Sequence, residues 1–136
     1  MSAVKYIHVE GVLEDLLFLL QEQAKEKTNQ GLHLSIDRDD EILQRDEEHG
    51  NPTHTKVKFI VYWIPNQDQW VHENNLLEKT ILSLDLYQEK DLPEETLLQA
   101  IQEAKQSFLS FCQKAEEEEN KLALFLEKLG KALTFP

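Results

Sequence analysis

The feature that most constrains this chain is an apolar stripe that runs almost unbroken along its last third. Leu97, Ile101, Ala104, Phe108, Phe111, Ala115, Leu122, Phe125, Leu129 and Ala132 follow spacings of three and four, with Glu118 as the one polar residue on the stripe. That period belongs to an α-helix with one buried face. Asp91-Leu92-Pro93-Glu94-Glu95 opens it, because a proline suits the first helical turn and acids favour the positive end of the helix dipole. Nothing breaks the pattern before Gly130. A helix from Pro93 to Leu129 is about 55 Å long, more than a body of this size can cover with its own sheet. It therefore either bends between Glu116 and Asn120 into a helical hairpin or sends its distal half outward to pack on another chain. Leu122, Phe125 and Leu129, with Glu118 among them, become candidate interaction residues on that ground.

Upstream, Val12, Leu13, Leu16, Leu17, Leu19, Leu20 and Ala24 repeat at helical spacing, with Phe18 widening the apolar face. This first helix should stop near Asn29 and Gln30, since Gly31 supplies the left-handed residue that ends many helices. Ala3 to Val9 reads as a short strand or an irregular lead-in. Leu32, Leu34 and Ile36 then alternate with His33 and Ser35, the period of a half-buried strand. Asp37-Arg38-Asp39-Asp40 reads as turn chemistry, which makes Glu41 to Asp46 a returning strand, and His49-Gly50-Asn51-Pro52 marks a break.

Thr55 to Ile64 is the strongest strand: Val57, Phe59, Val61 and Trp63 share one face, while Lys56 and Lys58 give way to Ile60, Tyr62 and Ile64 on the other. Its second half is expected to be buried on both faces. Gln69 to His72 reads as a short partner strand, and Thr80 to Tyr87 puts Leu82, Leu84 and Leu86 opposite Ile81, Ser83, Asp85 and Tyr87. The expected fold is α+β: an N-terminal helix, an antiparallel meander of about four strands and a long C-terminal helix or helical hairpin packed on the sheet. One domain is expected over 1–136, with a helical region at 1–30, the meander at 31–88 and the C-terminal helix at 91–133.

Charge narrows the partners. With 26 acids against 14 Lys and Arg, the net charge is -12. Phosphate backbones are held by Lys and Arg that displace counterions, so no nucleic acid is expected, and an anionic membrane surface would repel the chain. A basic protein partner is the one this field favours. The apolar run Val12 to Leu20 is interrupted by Glu14 and Asp15 and is far shorter than a membrane span. No secretory pattern is visible and the single Cys112 cannot form an internal disulfide, so a cytoplasmic location is expected.

Catalytic signatures are sparse. Asp37, Asp39, Glu41 and Glu48 fall at positions 1, 3, 5 and 12 of a calcium loop, but position 6 is Ile42 where the turn needs Gly. His49 and His54 with Asp46 nearby could gather ligands for a divalent transition metal. Cys112 sits in the helical stripe beside Phe111 and reads as packing, and no phosphate-binding glycine loop or nucleophile elbow occurs. No catalytic residue and no cofactor are assigned. Among the aromatics, Trp70, flanked by Gln67, Asp68 and Gln69, is the candidate for exposed contact.

The reading these features favour is a small acidic, non-enzymatic accessory or regulatory protein that acts by occupying a partner's surface. Two alternatives stand beside it: a homo-oligomer assembled through the C-terminal helix, and a metal-dependent enzyme or metal-binding protein using the His49 to His54 loop.

Overall fold

The computed structural model describes residues 3–65 and 77–135. The elements run β1 (Tyr6–His8), α1 (Glu10–Asn29), β2 (Leu34–Arg45), β3 (Pro52–Trp63), β4 (Leu77–Tyr87), β5 (Asp91–Pro93) and α2 (Glu94–Ala132). The fold is α+β, with both helices on one face of an antiparallel sheet ordered β2-β3-β4 and a second, two-stranded sheet of β1 and β5. Among the described residues, no helix is long and apolar enough to cross a membrane.

Gly31 ends α1 as its sequence position demands. Its φ of +99° is a region that side chains with a Cβ avoid, and it lets the amides of Gly31 and Leu32 donate back to the carbonyls of Thr28 and Lys27, each at 3.0 Å. The alternation in β3 is also realised. Val57, Phe59, Val61 and Trp63 are all at most 2% exposed and meet Leu34, Ile36, Leu82, Leu84 and Leu86 from the flanking strands. Leu13, Leu16, Leu20 and Ala24 of α1 cover this face beside β2, and Leu97, Ala104, Phe108, Phe111, Cys112 and Ala115 of α2 cover the same face beside β4. Each large side chain removed from water in this way contributes about 1.5–3 kcal/mol.

Three local expectations are corrected. Asp37 to Asp40 is not a turn: β2 runs straight through it, and the hairpin turn lies at the segment 46–51. Register explains the difference, because Asp39 lies opposite Lys58 and Glu41 opposite Lys56, so β3 supplies opposite charges that hold the acids in an extended strand. Arg38 points to the helix side, where Glu10 Oε1 lies 2.7 Å away and Asp40 accepts from Nε at 2.9 Å. Second, Ile81 is buried although it alternates with the Leu82 face. A bulge between Phe59 and Ile60 of the β3–β4 register leaves Ile81 unpaired, and both it and Leu82 turn toward the core. Third, the end of β3 is not buried on both faces: Ile60 and Tyr62 are half-buried and Ile64 is 54% exposed.

β1 and β5 tie the start of the chain to the start of α2. Tyr6 to His8 pairs with Pro93 to Asp91, and the Val9 amide donates to the Lys90 carbonyl at 3.0 Å. Lys90 holds a φ of +56°, and its ammonium donates to Glu10 Oε2 at 3.2 Å. Glu10 thereby joins α1, β2 and the turn before β5. The predicted strand at Gln69 to His72 lies outside the described residues.

α2 does not bend into a hairpin. It is one helix of 39 residues, about 58 Å long. Leu122 is its last buried residue, Leu126 packs partly on the core, and 123–135 extends past it.

Candidate functional site

The helices cover one face of the β2-β3-β4 sheet, and the described residues place no element on the other. Antiparallel register puts four rows of side chains there: Ser35, Tyr62 and Glu78; Asp37, Ile60 and Thr80; Asp39, Lys58 and Ser83; Glu41, Lys56 and Asp85. The two lysines sit among acids at one end, with Lys58 Nζ 4.0 Å from Glu41. Ile60 and Tyr62 form an apolar strip at the other, bordered by Asp37, Asp39 and Glu78. The Tyr62 hydroxyl feels this border. Partial burial, and then the negative charges of Glu78, Asp37 and Asp39, hold its pKa above the ordinary phenol value. Chemically this face offers an apolar contact with carboxylates on its β2 and β4 flanks and Lys58 at one end.

The His49 to His54 hairpin is held by its own bonds. Asp46 Oδ1 accepts from the amides of His49 at 2.7 Å and Asn51 at 3.3 Å, which is the turn chemistry of a short acid. His54 lies on β3, where its ring stacks on Tyr87 at 4.6 Å and Nε2 lies 3.2 Å from Asp85 Oδ1. His49 stands at the exposed turn with Glu48 3.8 Å away. Asp46 is thus engaged by the backbone of its own turn while the two imidazoles contact different acids, and among the described residues no three His, Cys, Asp or Glu side chains gather as metal ligands. Asp37, Asp39 and Glu41 alternate along a strand, so the calcium spacing does not form a loop. Cys112 is buried in the core, and that burial raises its thiol pKa.

The candidate interaction residues on α2 divide. Leu122 is buried, Leu129 is half-buried, and Phe125 is 55% exposed. Glu118 pairs along the helix with Lys121 at 3.3 Å. The neighbouring Glu119, not singled out by the stripe, reaches the sheet: its Oε2 accepts from Trp63 Nε1 at 2.9 Å. Trp70 lies outside the described residues.

A second surface had no signal in either helix alone. Between α1 and α2 lies an apolar groove of about 360 Å³, walled by Leu16, Leu19, Leu20, Ile101, Phe108 and Leu109. Leu19 and Leu109 are 61% and 57% exposed on its lips. Gln23 and Lys105 are its polar members. The amphipathic pattern of each helix was legible, but the groove is a property of their separation.

Compared with known proteins, the chain matches no family model, no curated protein and no solved structure.

Proposed function

We propose that this chain is a non-catalytic protein-binding module that acts by occupying the surface of a basic partner, with the open sheet face as its contact. The observation that carries this reading is the placement of Asp37, Asp39 and Glu78 on the flanks of Ile60 and Tyr62. A protein surface that sets Lys or Arg around an apolar side chain complements it in both charge and hydropathy. Tyrosine is well suited to the centre of such a contact, since it adds large rigid area and one hydrogen-bonding hydroxyl. The net charge of -12 supports the same reading by raising encounter rates with cationic partners.

The test is capture from lysate of the protein's own source by the tagged full chain, at physiological and at high salt. The double reversal Asp37→Lys with Glu78→Lys, at exposed positions that lie opposite Ile60 and Tyr62 and face no lysine, should lose the salt-sensitive partner while keeping the wild-type melting temperature. Capture of the same partner by that variant would reject the sheet face as the contact.

A further inference from the structure

The projecting end of α2 differs in charge from everything it projects from. Past the last buried residue, 123–136 hold two lysines (Lys128, Lys131) and one acid (Glu127), a net charge of +1. The whole chain carries -12, so the remainder carries -13. The same segment continues the apolar stripe beyond the core through Phe125, Leu126, Leu129 and Leu133, with Phe125 55% and Leu133 64% exposed. It is thus a basic, amphipathic helical arm about 15 Å long.

The groove between α1 and α2 has the opposite character. On α1, Asp15 and Glu22 lie four residues before and three after Leu19, and Glu26 lies three after Gln23, so these exposed acids edge the groove. They outnumber the nearby cations, which are Lys105 in the lining and Lys27, four residues after Gln23 and paired with Glu116 at 3.6 Å. The arm cannot fill the groove of its own molecule. Phe108 in the groove and Leu126 on the arm belong to one unbroken helix and stand about 27 Å apart along it.

We propose that a second copy of this chain fills the groove with its α2 arm, and that the exchange is reciprocal. The basic apolar arm of each protomer lies between α1 and α2 of the other, in the manner of an amphipathic helix laid into a hydrophobic groove. Arm-to-arm pairing would instead set two segments of +1 against each other. One arm alone is a small contact, and two-fold exchange doubles it while closing the assembly, which prevents open-ended growth. This contact is separate from the open sheet face, so either can fail without the other.

Light scattering on the eluting full-length protein tests it. At high micromolar concentration the mass should be twice 15.9 kDa. Leu19→Glu spoils the groove and Phe125→Glu spoils the arm, and both residues are mostly exposed, so each variant should keep its helical circular dichroism and run as a monomer. An equimolar mixture of the two should regain part of the mass, because one of the two contacts is restored where the intact arm of one meets the intact groove of the other. Should either variant misfold, Leu109→Glu in the groove and Leu133→Glu on the arm replace them. A monomeric wild type overturns the proposal. So does a dimer that survives Leu19→Glu and Leu109→Glu but not Phe125→Glu, which is the signature of arm-to-arm pairing.

Discussion

From Glu94 to Leu122 the apolar stripe of α2 is buried against the sheet and α1; from Ala123 to Phe135 the same period continues with no buried residue. The two halves share helical spacing and aromatic content but not surroundings. Phe108 is 3% exposed, and Phe125 is 55% exposed. Periodicity therefore reports that a helix has an apolar face and is silent on what that face meets. The first half draws its stability from tertiary packing, whereas the second is a continuation of a helix already nucleated and needs only propagation. The contrast has an energetic consequence that substitution can measure.

The largest effect belongs to the buried half. Phe108→Ala should cost about 3–5 kcal/mol in urea unfolding, since it removes a ring from close packing and leaves a cavity. Phe125→Ala in dilute protein should stay within about 0.5 kcal/mol of wild type, as expected of a surface position. The comparison breaks if the two costs are alike at low concentration. It sharpens if the Phe125→Ala cost grows with protein concentration while the Phe108→Ala cost does not, because a stability contribution from a second copy scales by mass action.

An intermediate effect marks the boundary between the halves. Trp63 is 2% exposed, and its indole N–H donates to Glu119, three residues before the last buried position of α2. Trp63→Phe keeps most of the packing and removes the donor, so a loss of about 1–2 kcal/mol is expected. Hydrogen exchange should report where that loss appears. Amides of 119–132 should exchange faster in the variant, while those of 97–112 change less. Equal change along the whole helix would mean that Glu119 does not mark the end of the anchored half.

The elements legible in the sequence are those whose partners lie on one face. Gly31 ends α1 through its own backbone, and Val57, Phe59, Val61 and Trp63 alternate because a single core takes all four. Asp37 to Asp40 reads as a turn in the sequence because this part of β2 is an exposed edge strand, where composition follows solvent and cross-strand charge instead of a core, while Glu41 to Arg45 is strand as its pattern suggests. What holds this stretch extended is Lys58 opposite Asp39, Lys56 opposite Glu41 and Glu10 of the preceding helix on Arg38, none of them local in sequence. The candidate surfaces were half visible for the same reason. The overhang of α2 follows from length alone, but the flanking of Tyr62 by carboxylates needs the β2-β3-β4 register, and the groove joins Leu19 to Leu109 across 90 residues of chain.

The smallest effect concerns acid, and it separates the anchored part of the chain from the arm once more. Burial alone would push the Glu10 carboxyl up, but the hydrogen bonds and positive charges of Arg38 and Lys90 outweigh it and hold its pKa below the usual carboxylate value. A carboxyl depressed on folding adds stability that is present above its unfolded pKa, near 4.3, and is lost as pH falls through the lower folded value. The melting temperature should therefore begin to fall below about pH 5. Glu10→Gln should already melt lower at neutral pH and should lose less on acidification than wild type does, because its share of the proton linkage is gone. The ionised network binds α1 to β2 and to the turn before β5, and none of its members lies on the arm. Exchange at 123–132 should accordingly change no more in Glu10→Gln than the global loss of stability requires. A larger change there would mean that the arm is coupled to the start of α1, and the division of α2 into an anchored and a projecting half would then have to be redrawn.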